Sequence, residues 1–327
     1  MTDWSDLLAR TYDVARAAVA QLDDSLVDRP TPCEQWSVRD VFEHMVGAID
    51  MFATAAGAPA TEGAAGSTPI ERFDAAVRRN LAAWESLTDS AATLSLPFGQ
   101  FPADLVAGMN QVDSLVHGWD IGASLGLPVA LPDDLAETAL ETAQVSVPPF
   151  RGHGFGSELP PSGNAPGEKL LAFTGRDTSA WPGAIWVAGS LVTVKPTAGD
   201  PTAASAVEIW EREGSGPPRH VHAEHDEIWY VLEGRFTFAL GDREVEAGPG
   251  DLVVGPHGVP HAFRADTPRS RLLDIHAPGG FERFFVHAGT PASALVPPPL
   301  SDLKKAGPLR AVIEAYGATV VGPPLAS

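Results

Sequence analysis

His220, His222, Glu227 and His261 are the residues of this chain whose types and spacing best suit joint chemistry. Imidazole nitrogen and carboxylate oxygen are donors that hold Zn, Fe, Mn, Ni or Cu, and four protein donors can leave such an ion positions open to a substrate. The spacing offers a way to assemble them. His220 and His222 stand two apart, so on a β-strand both side chains leave the same face. Glu227 falls on or near the following strand, and His261 comes after a Pro256–Gly258 turn that can return it to the same point. Val, Ile, Trp, Tyr and Phe surround these positions, with Gly and Pro as punctuation, which is the texture of a small β-barrel. A barrel that keeps its histidines only for packing is the plain alternative. His225 and His257 lie between the donor positions and read as solvated or supporting groups.

A second constellation occupies the first half. Asp113 and His117 are four apart and share one face of a helix predicted over 103–125. His44 sits in an apolar stretch of an earlier helix. Two helices of a bundle can aim the three at one point, the usual place for a bundle metal site. The plain alternative is a histidine hydrogen-bonded in the core. Cys33, the single cysteine, reads as a small buried side chain and excludes an intrachain disulfide, which fits a reducing compartment.

The elements that must position these groups divide the chain. Trp4 to Leu22 repeats its apolar residues every 3.6 positions, as a helix does. Ser37 with Asp40 three residues on marks the start of a second helix running to Phe52. Ile70, Phe73, Val77, Leu81 and Trp84 define a third; the helix over 103–125 stops at Gly126 and Pro128, and a shorter one follows over 132–145. Residues 147–167 are rich in Pro, Gly and Ser and read as a connecting segment. From Ala184 the pattern becomes β, with short strands predicted at 185–187, 191–194, 206–210, 228–232, 235–240, 251–254 and 271–275. A last helix over 302–316, interrupted at Gly307-Pro308, and a strand over 318–321 complete the reading. The expectation is two domains: an all-α four-helix bundle over 1–180, with the connecting segment 147–180, and an all-β barrel with a helical tail over 181–327.

The charge narrows the partners. Lys and Arg number 22 against 42 Asp and Glu, a formal charge of −20. Such a field repels phosphate backbones, so no nucleic-acid partner is expected. The first residues show neither a basic nor an apolar leader region, and no run of about twenty apolar residues is present to span a bilayer. The reading is a cytoplasmic protein without a membrane partner that acts on a small molecule.

The second half resembles the cupin family. The first cupin motif, G-x5-H-x-H-x4-E-x6-G, is matched at Gly214, His220, His222, Glu227 and Gly234. The second, G-x5-P-x-G-x2-H-x3-N, is matched at Gly250, Pro256, Gly258 and His261, with Ala265 in place of the final Asn, a turn position and not a ligand. The resemblance implies a double-stranded β-helix, or jelly-roll barrel, in which His220, His222, Glu227 and His261 hold a divalent transition metal (Fe, Mn, Ni, Cu or Zn). Glu227 is also the candidate acid or base. Cupins with these ligands include quercetinase-like dioxygenases, isomerases and proteins that only bind. Trp229, Tyr230, Phe236, Phe238 and Phe263 are expected to divide between cavity lining and core filling. The stretch 277–285 also resembles small quercetinase-like cupins; it is expected to cover a barrel edge or a homodimer interface, with a lid over the pocket as the alternative.

The first half resembles DinB-like bundles related to mycothiol-dependent maleylpyruvate isomerase. The resemblance rests on Thr31-Pro32-Cys33-x-x-Trp36-Ser37-Val38-Arg39-Asp40, His44-Met45-Val46-Gly47, Asp113-x-x-x-His117-Gly118-Trp119-Asp120 and the closing Leu170 to Asp177. It implies that His44, Asp113 and His117 bind a divalent metal, usually Zn, on which the thiol of mycothiol is activated. Asp113 stands where the isomerase itself has Glu, which puts that particular reaction in doubt. Together these features predict a metal-dependent enzyme acting on a small oxygenated organic compound, with the barrel site a dioxygenase and the bundle site thiol-linked. The alternatives are an isomerase, lyase or cyclase in the barrel, and a non-catalytic metal- or metabolite-binding protein.

Overall fold

The structure, a computed structural model, describes residues 4–33, 36–59, 68–87, 89, 91–197, 199–298 and 309–326. The chain divides into two compact units, residues 1–124 with 129–180 and residues 125–128 with 181–327. The segment 125–128 therefore belongs with the second unit, although it directly follows the long helix of the first.

The first unit is helical: α1 (Trp4–Val19), α2 (Val38–Ala55), α3 (Pro69–Ser86), α4 (Ala103–Ser124), α5 (Asp133–Ser146) and α6 (Pro166–Phe173), with a hairpin of β1 (Thr93–Leu96) and β2 (Gly99–Pro102) before α4. The start of α2 is the one its sequence signals. Ser37 accepts from the Asp40 amide, and the Asp40 carboxylate accepts from the Ser37 amide at 2.9 Å, so two orphan donors of the first turn are satisfied. α4 is buried along most of its length and forms the axis of the unit. Gly118 allows α1 close to it: a Cβ there would stand 2.8 Å from the Ala15 Cα. A buried polar relay ties four helices together. Tyr12 of α1 donates to Asn110 of α4, Asn110 donates to Asn80 of α3, and Asn80 donates to the Ile49 carbonyl of α2, at 3.1, 3.2 and 2.8 Å. Around it, Leu7, Leu115, Val116, Leu135, Ala139 and Leu170 make an apolar core. The hairpin and α6 were not anticipated; α6 lies inside the expected connecting segment, where Pro166 opens a helix of only eight residues.

The second unit is built of β3 (Ile185–Val187), β4 (Ser190–Lys195), β5 (Ser205–Glu211), β6 (His220–His222), β7 (Asp226–Glu233), β8 (Phe236–Leu240), β9 (Arg243–Ala247), β10 (Leu252–Gly255), β11 (His261–Ala265), β12 (Ser270–Ala277), β13 (Thr290–Pro291) and β14 (Ala318–Val320), with the short helices α7 (Glu282–Ala288) and α8 (Leu309–Ala315). All the pairings are antiparallel, in one sheet ordered β10-β7-β12-β5-β4-β3-β13 and another ordered β14-β6-β11-β8-β9. β5 and β12 alternate strictly between buried and half-exposed residues, the mark of a sheet with one face on a core. β9 escapes sequence reading because four of its five residues are exposed and three are charged. Of the helix expected over 302–316, α8 is described; residues 302–308 lie outside the described residues. No helix among the described residues is long and apolar enough to cross a membrane.

Candidate metal centres

In the second unit the sheets bring the four predicted donors together. β6 carries His220 and His222, β11 carries His261 opposite His220, and β7 of the other sheet carries Glu227. The Nε2 atoms of His261, His222 and His220 lie 2.8, 3.0 and 3.5 Å from Oε2 of Glu227. The histidine tautomers follow from their other nitrogens. His220 Nδ1 donates to the Pro218 carbonyl at 2.9 Å and His261 Nδ1 donates to the Val259 carbonyl at 2.8 Å. A carbonyl only accepts, so these rings carry their proton on Nδ1 and turn the Nε2 lone pair inward when neutral. His222 Nε2, His261 Nε2 and Glu227 Oε2 are buried without a hydrogen-bond partner. Lone pairs that face one another at this range repel unless a cation lies among them, so the donor set fits a divalent transition metal. Burial alone would raise Glu227, but the imidazoles facing it outweigh this and hold its carboxyl well below the usual range.

Two neighbours of this set were missed. Asp274 and His276, on the inward face of β12, bring their side-chain atoms within 4.8 Å of those of Glu227. Burial and the adjacent Glu227 charge push Asp274 well above the ordinary carboxylate range. Burial pushes His276 down to about 3, leaving it neutral. Both occupy buried positions of the alternating strand β12, a face that the sequence alone does not mark as the core. His225 packs its ring against Phe281 at a centroid separation of 5.7 Å, while His257 pairs with the exposed Asp226.

A cavity of about 320 Å³ opens beside the set, with His220, Glu227 and Asp274 in its wall. Of the five aromatics singled out in the sequence, only Phe263 lines it. Trp229, Phe236 and Phe238 fill the core, with Trp229 and Phe238 centroids 5.1 Å apart, and Tyr230 faces outward. The aromatic wall is instead Phe281, Phe284 and Phe285. Within the segment 277–285 the apolar residues of α7 and its start turn toward the cavity, the placement that the lid alternative expects.

In the helical unit, α2 supplies His44 and α4 supplies Asp113 and His117. Asp113 Oδ1 lies 2.9 Å from His44 Nε2 and 3.7 Å from His117 Nε2. Asp113 Oδ2 and His117 Nε2 are buried without a partner, as expected of atoms that face an ion. Burial would raise Asp113, but the charges of His44 and His117 hold it below its ordinary value. His117 Nδ1 donates to Asp120 at 2.9 Å, and Arg176 grips the same carboxylate at 2.7 Å. This carboxylate–imidazole arrangement fixes the ring and turns Nε2 toward Asp113, as in metal sites. Asp120 and Arg176 had been read only as motif letters. Trp36 and Phe155 lie against the His117 ring, both with centroids 5.7 Å away. Gly154, at φ +87°, brings its backbone over the site; a Cβ there would meet Trp36 at 3.3 Å. Burial, reinforced by the charge of Asp120, pushes the Cys33 thiol up to about 12, so it is a packed thiol and not a nucleophile.

The adjoining cavity, about 120 Å³, is walled by Met51, Phe52, Phe98, Met109, Phe150 and Phe155. Beyond the metal set, its described polar lining is Ser146 and His153. The donor set fits a divalent metal, and the rest of the described lining is mainly apolar.

Comparison with known proteins places both units. Residues 8–122 match the mycothiol maleylpyruvate isomerase N-terminal domain and residues 207–276 match the cupin domain. An uncharacterized protein of Mycobacterium tuberculosis is 32% identical over 171 residues, 51% of this chain and 94% of that protein. Quercetin 2,3-dioxygenase of Bacillus subtilis is 35% identical over 72 residues, 22% of this chain but only 21% of that enzyme. Among solved structures, KdgF from Halomonas sp. is 28% identical, with a TM-score of 0.27 over 29% of this chain and 83% of that one. The chain belongs to the family of this mycobacterial protein, and it carries a mycothiol maleylpyruvate isomerase N-terminal domain in its helical unit and a cupin domain in its barrel unit.

Proposed function

We propose that the protein is a metal-dependent enzyme acting on a small oxygenated organic compound, and that the barrel is a dioxygenase site. The observation that carries this is the convergence of three imidazoles on Glu227 at the wall of an aromatic cavity, with two ring tautomers set by backbone carbonyls. A transition metal held by these donors supplies Lewis acidity and, for Fe, Mn, Ni or Cu, a centre for oxygen chemistry. The remaining tasks fall to the protein. Phe263, Phe281 and Phe284 offer an apolar wall for an aromatic or enolic body and exclude water around it. Asp274, a carboxyl in the same wall that no lysine or arginine pairs with among the described residues, can exchange a proton with a substrate oxygen, a role that Glu227, engaged with three imidazoles, is poorly placed to fill. The likeness to quercetin 2,3-dioxygenase supports the choice of oxygen chemistry over isomerisation.

For the helical unit we favour a Zn site on His44, Asp113 and His117 that serves a thiol-linked or structural role, without assigning the thiol. The test of the barrel is direct. The full chain is loaded separately with Fe, Mn, Ni, Cu and Zn and given phenolic and enolic compounds while oxygen uptake is followed. Substrate-dependent uptake that His261→Ala abolishes supports a dioxygenase. Turnover without oxygen uptake moves the reading to an isomerase or lyase, and tight binding without turnover under every metal moves it to a binding protein.

A further inference from the structure

The barrel cavity contains a carboxylate that the metal site does not use. Glu211, the last residue of β5, is 4% exposed and stands in the wall of the same cavity as His220 and Glu227. Its Oε1 accepts from Ser190 Oγ at 2.6 Å, and its Oε2 lies 2.5 Å from Ser215 Oγ, whose one hydrogen it shares with the Arg212 carbonyl at 2.6 Å. Among the described residues no lysine or arginine forms an ion pair with it. Each carboxylate oxygen offers two lone-pair directions, so the serines orient the group and leave one direction on each oxygen free. Burial pushes Glu211 above its ordinary value, against the two serine hydroxyls and Arg212. A carboxylate costs several kcal/mol to bury, and one left without a cation beside an open cavity suits a role toward whatever enters that cavity.

The register separates this carboxylate from the metal set. On β12, Glu211 pairs with Ser270 while Glu227 pairs with His276, six residues farther along. The two rows are therefore separate along the strand, while both side chains reach the same cavity. The wall also carries Val192, Ile209, Phe263, Phe284 and Ile313, with Asp274 between the two rows on β12 and Arg310 among the lining residues. The cavity thus joins the metal set, with Asp274 beside it, to a largely apolar wall and to Glu211 at a separate row.

We infer that Glu211 is a specificity-determining residue of the barrel, accepting a hydrogen bond from a hydroxyl at the far end of an elongated substrate whose near end carries the oxygen that meets the metal set. This rests on the reading of the barrel as the reacting site. It selects, among small oxygenated compounds, those with an apolar body and a hydrogen-bond donor distal to the reacting oxygen.

The test uses the full chain loaded with Zn, which is redox-inert, and two probes that differ by one hydroxyl: phenylcatechol and para-hydroxyphenylcatechol. Dissociation constants are measured by calorimetry. The wild-type chain is expected to bind the hydroxylated probe about tenfold more tightly, the discrimination that one net hydrogen bond supplies. Glu211→Gln is expected to bring the ratio close to one while binding of phenylcatechol itself is retained. Ser215→Ala, which leaves the carboxylate but removes one hydroxyl that orients it, is expected to reduce the ratio in part and serves if the Gln variant does not fold. Equal affinity of the wild-type chain for both probes overturns the inference while metal-dependent binding of phenylcatechol leaves the barrel reading standing. A ratio unchanged in both variants also overturns it and makes Glu211 a structural residue. Failure of the wild-type chain to bind either probe overturns the inference and the barrel reading together.

Discussion

Asp120 shows how much one buried side chain decides in this protein. Its carboxylate holds His117 by Nδ1 and Arg176 by the guanidinium, and none of the three reaches solvent appreciably. Asp120→Asn strands the Arg176 charge, so the helical unit should lose about 3–5 kcal/mol, read by thermal or denaturant unfolding. It also frees the His117 ring, so Zn affinity of that unit should fall about 10–100-fold. The pH dependence has a definite sign. Burial opposes ionisation of Asp120, but Arg176 and His117 outweigh it and its folded pKa is depressed. The contribution of the pair is therefore complete above the unfolded value of about 3.9 and is lost as pH falls through the folded one. Unfolding followed from neutral pH downward should show this loss in the wild type and not in Asp120→Asn. None of this was legible in the sequence, because Asp120 and Arg176 are 56 residues apart and only the fold joins them. The donors were legible for the opposite reason: His220 with His222, and Asp113 with His117, are pairs whose spacing matches the period of their own element.

At the scale of elements, what could be read was what repeats. Helix starts followed from Ser37 and Asp40, and strands from alternation, as in β5. What escaped were elements whose residues carry no contrast, such as the exposed β9 and the short α6, and inward polar residues such as Glu211, Asp274 and His276, since alternation alone does not say which face is the core. α7 escaped as a cavity wall because its apolar run fits an interface equally well. Close packing gives a sharp prediction here. Gly118 leaves no room for a side chain against the Ala15 backbone of α1. Gly118→Val must push α1 from α4 and should cost about 1–3 kcal/mol, with the helical unfolding transition shifted down. An unchanged transition would mean that the two helices are not held at this distance. In the barrel unit, Asp274→Asn should retain the metal but slow turnover, because the amide keeps the shape of the acid and loses its transferable proton. Metal content and rate measured on the same preparation separate the two effects.

At the scale of the whole molecule, the chain carries two sets of donors in two units with unrelated folds, and each set has buried donor atoms without a partner that a cation would satisfy. The account therefore predicts that the sites load and empty independently. Its central claim, that the barrel set is a metal site, is tested most directly by elemental analysis of the full chain, purified without added metal, beside the His222→Ala/His261→Ala double variant. The account predicts two metal equivalents per wild-type chain and loss of one from the variant, with the circular dichroism of both units retained. Retention of the full metal content in a folded variant would contradict it.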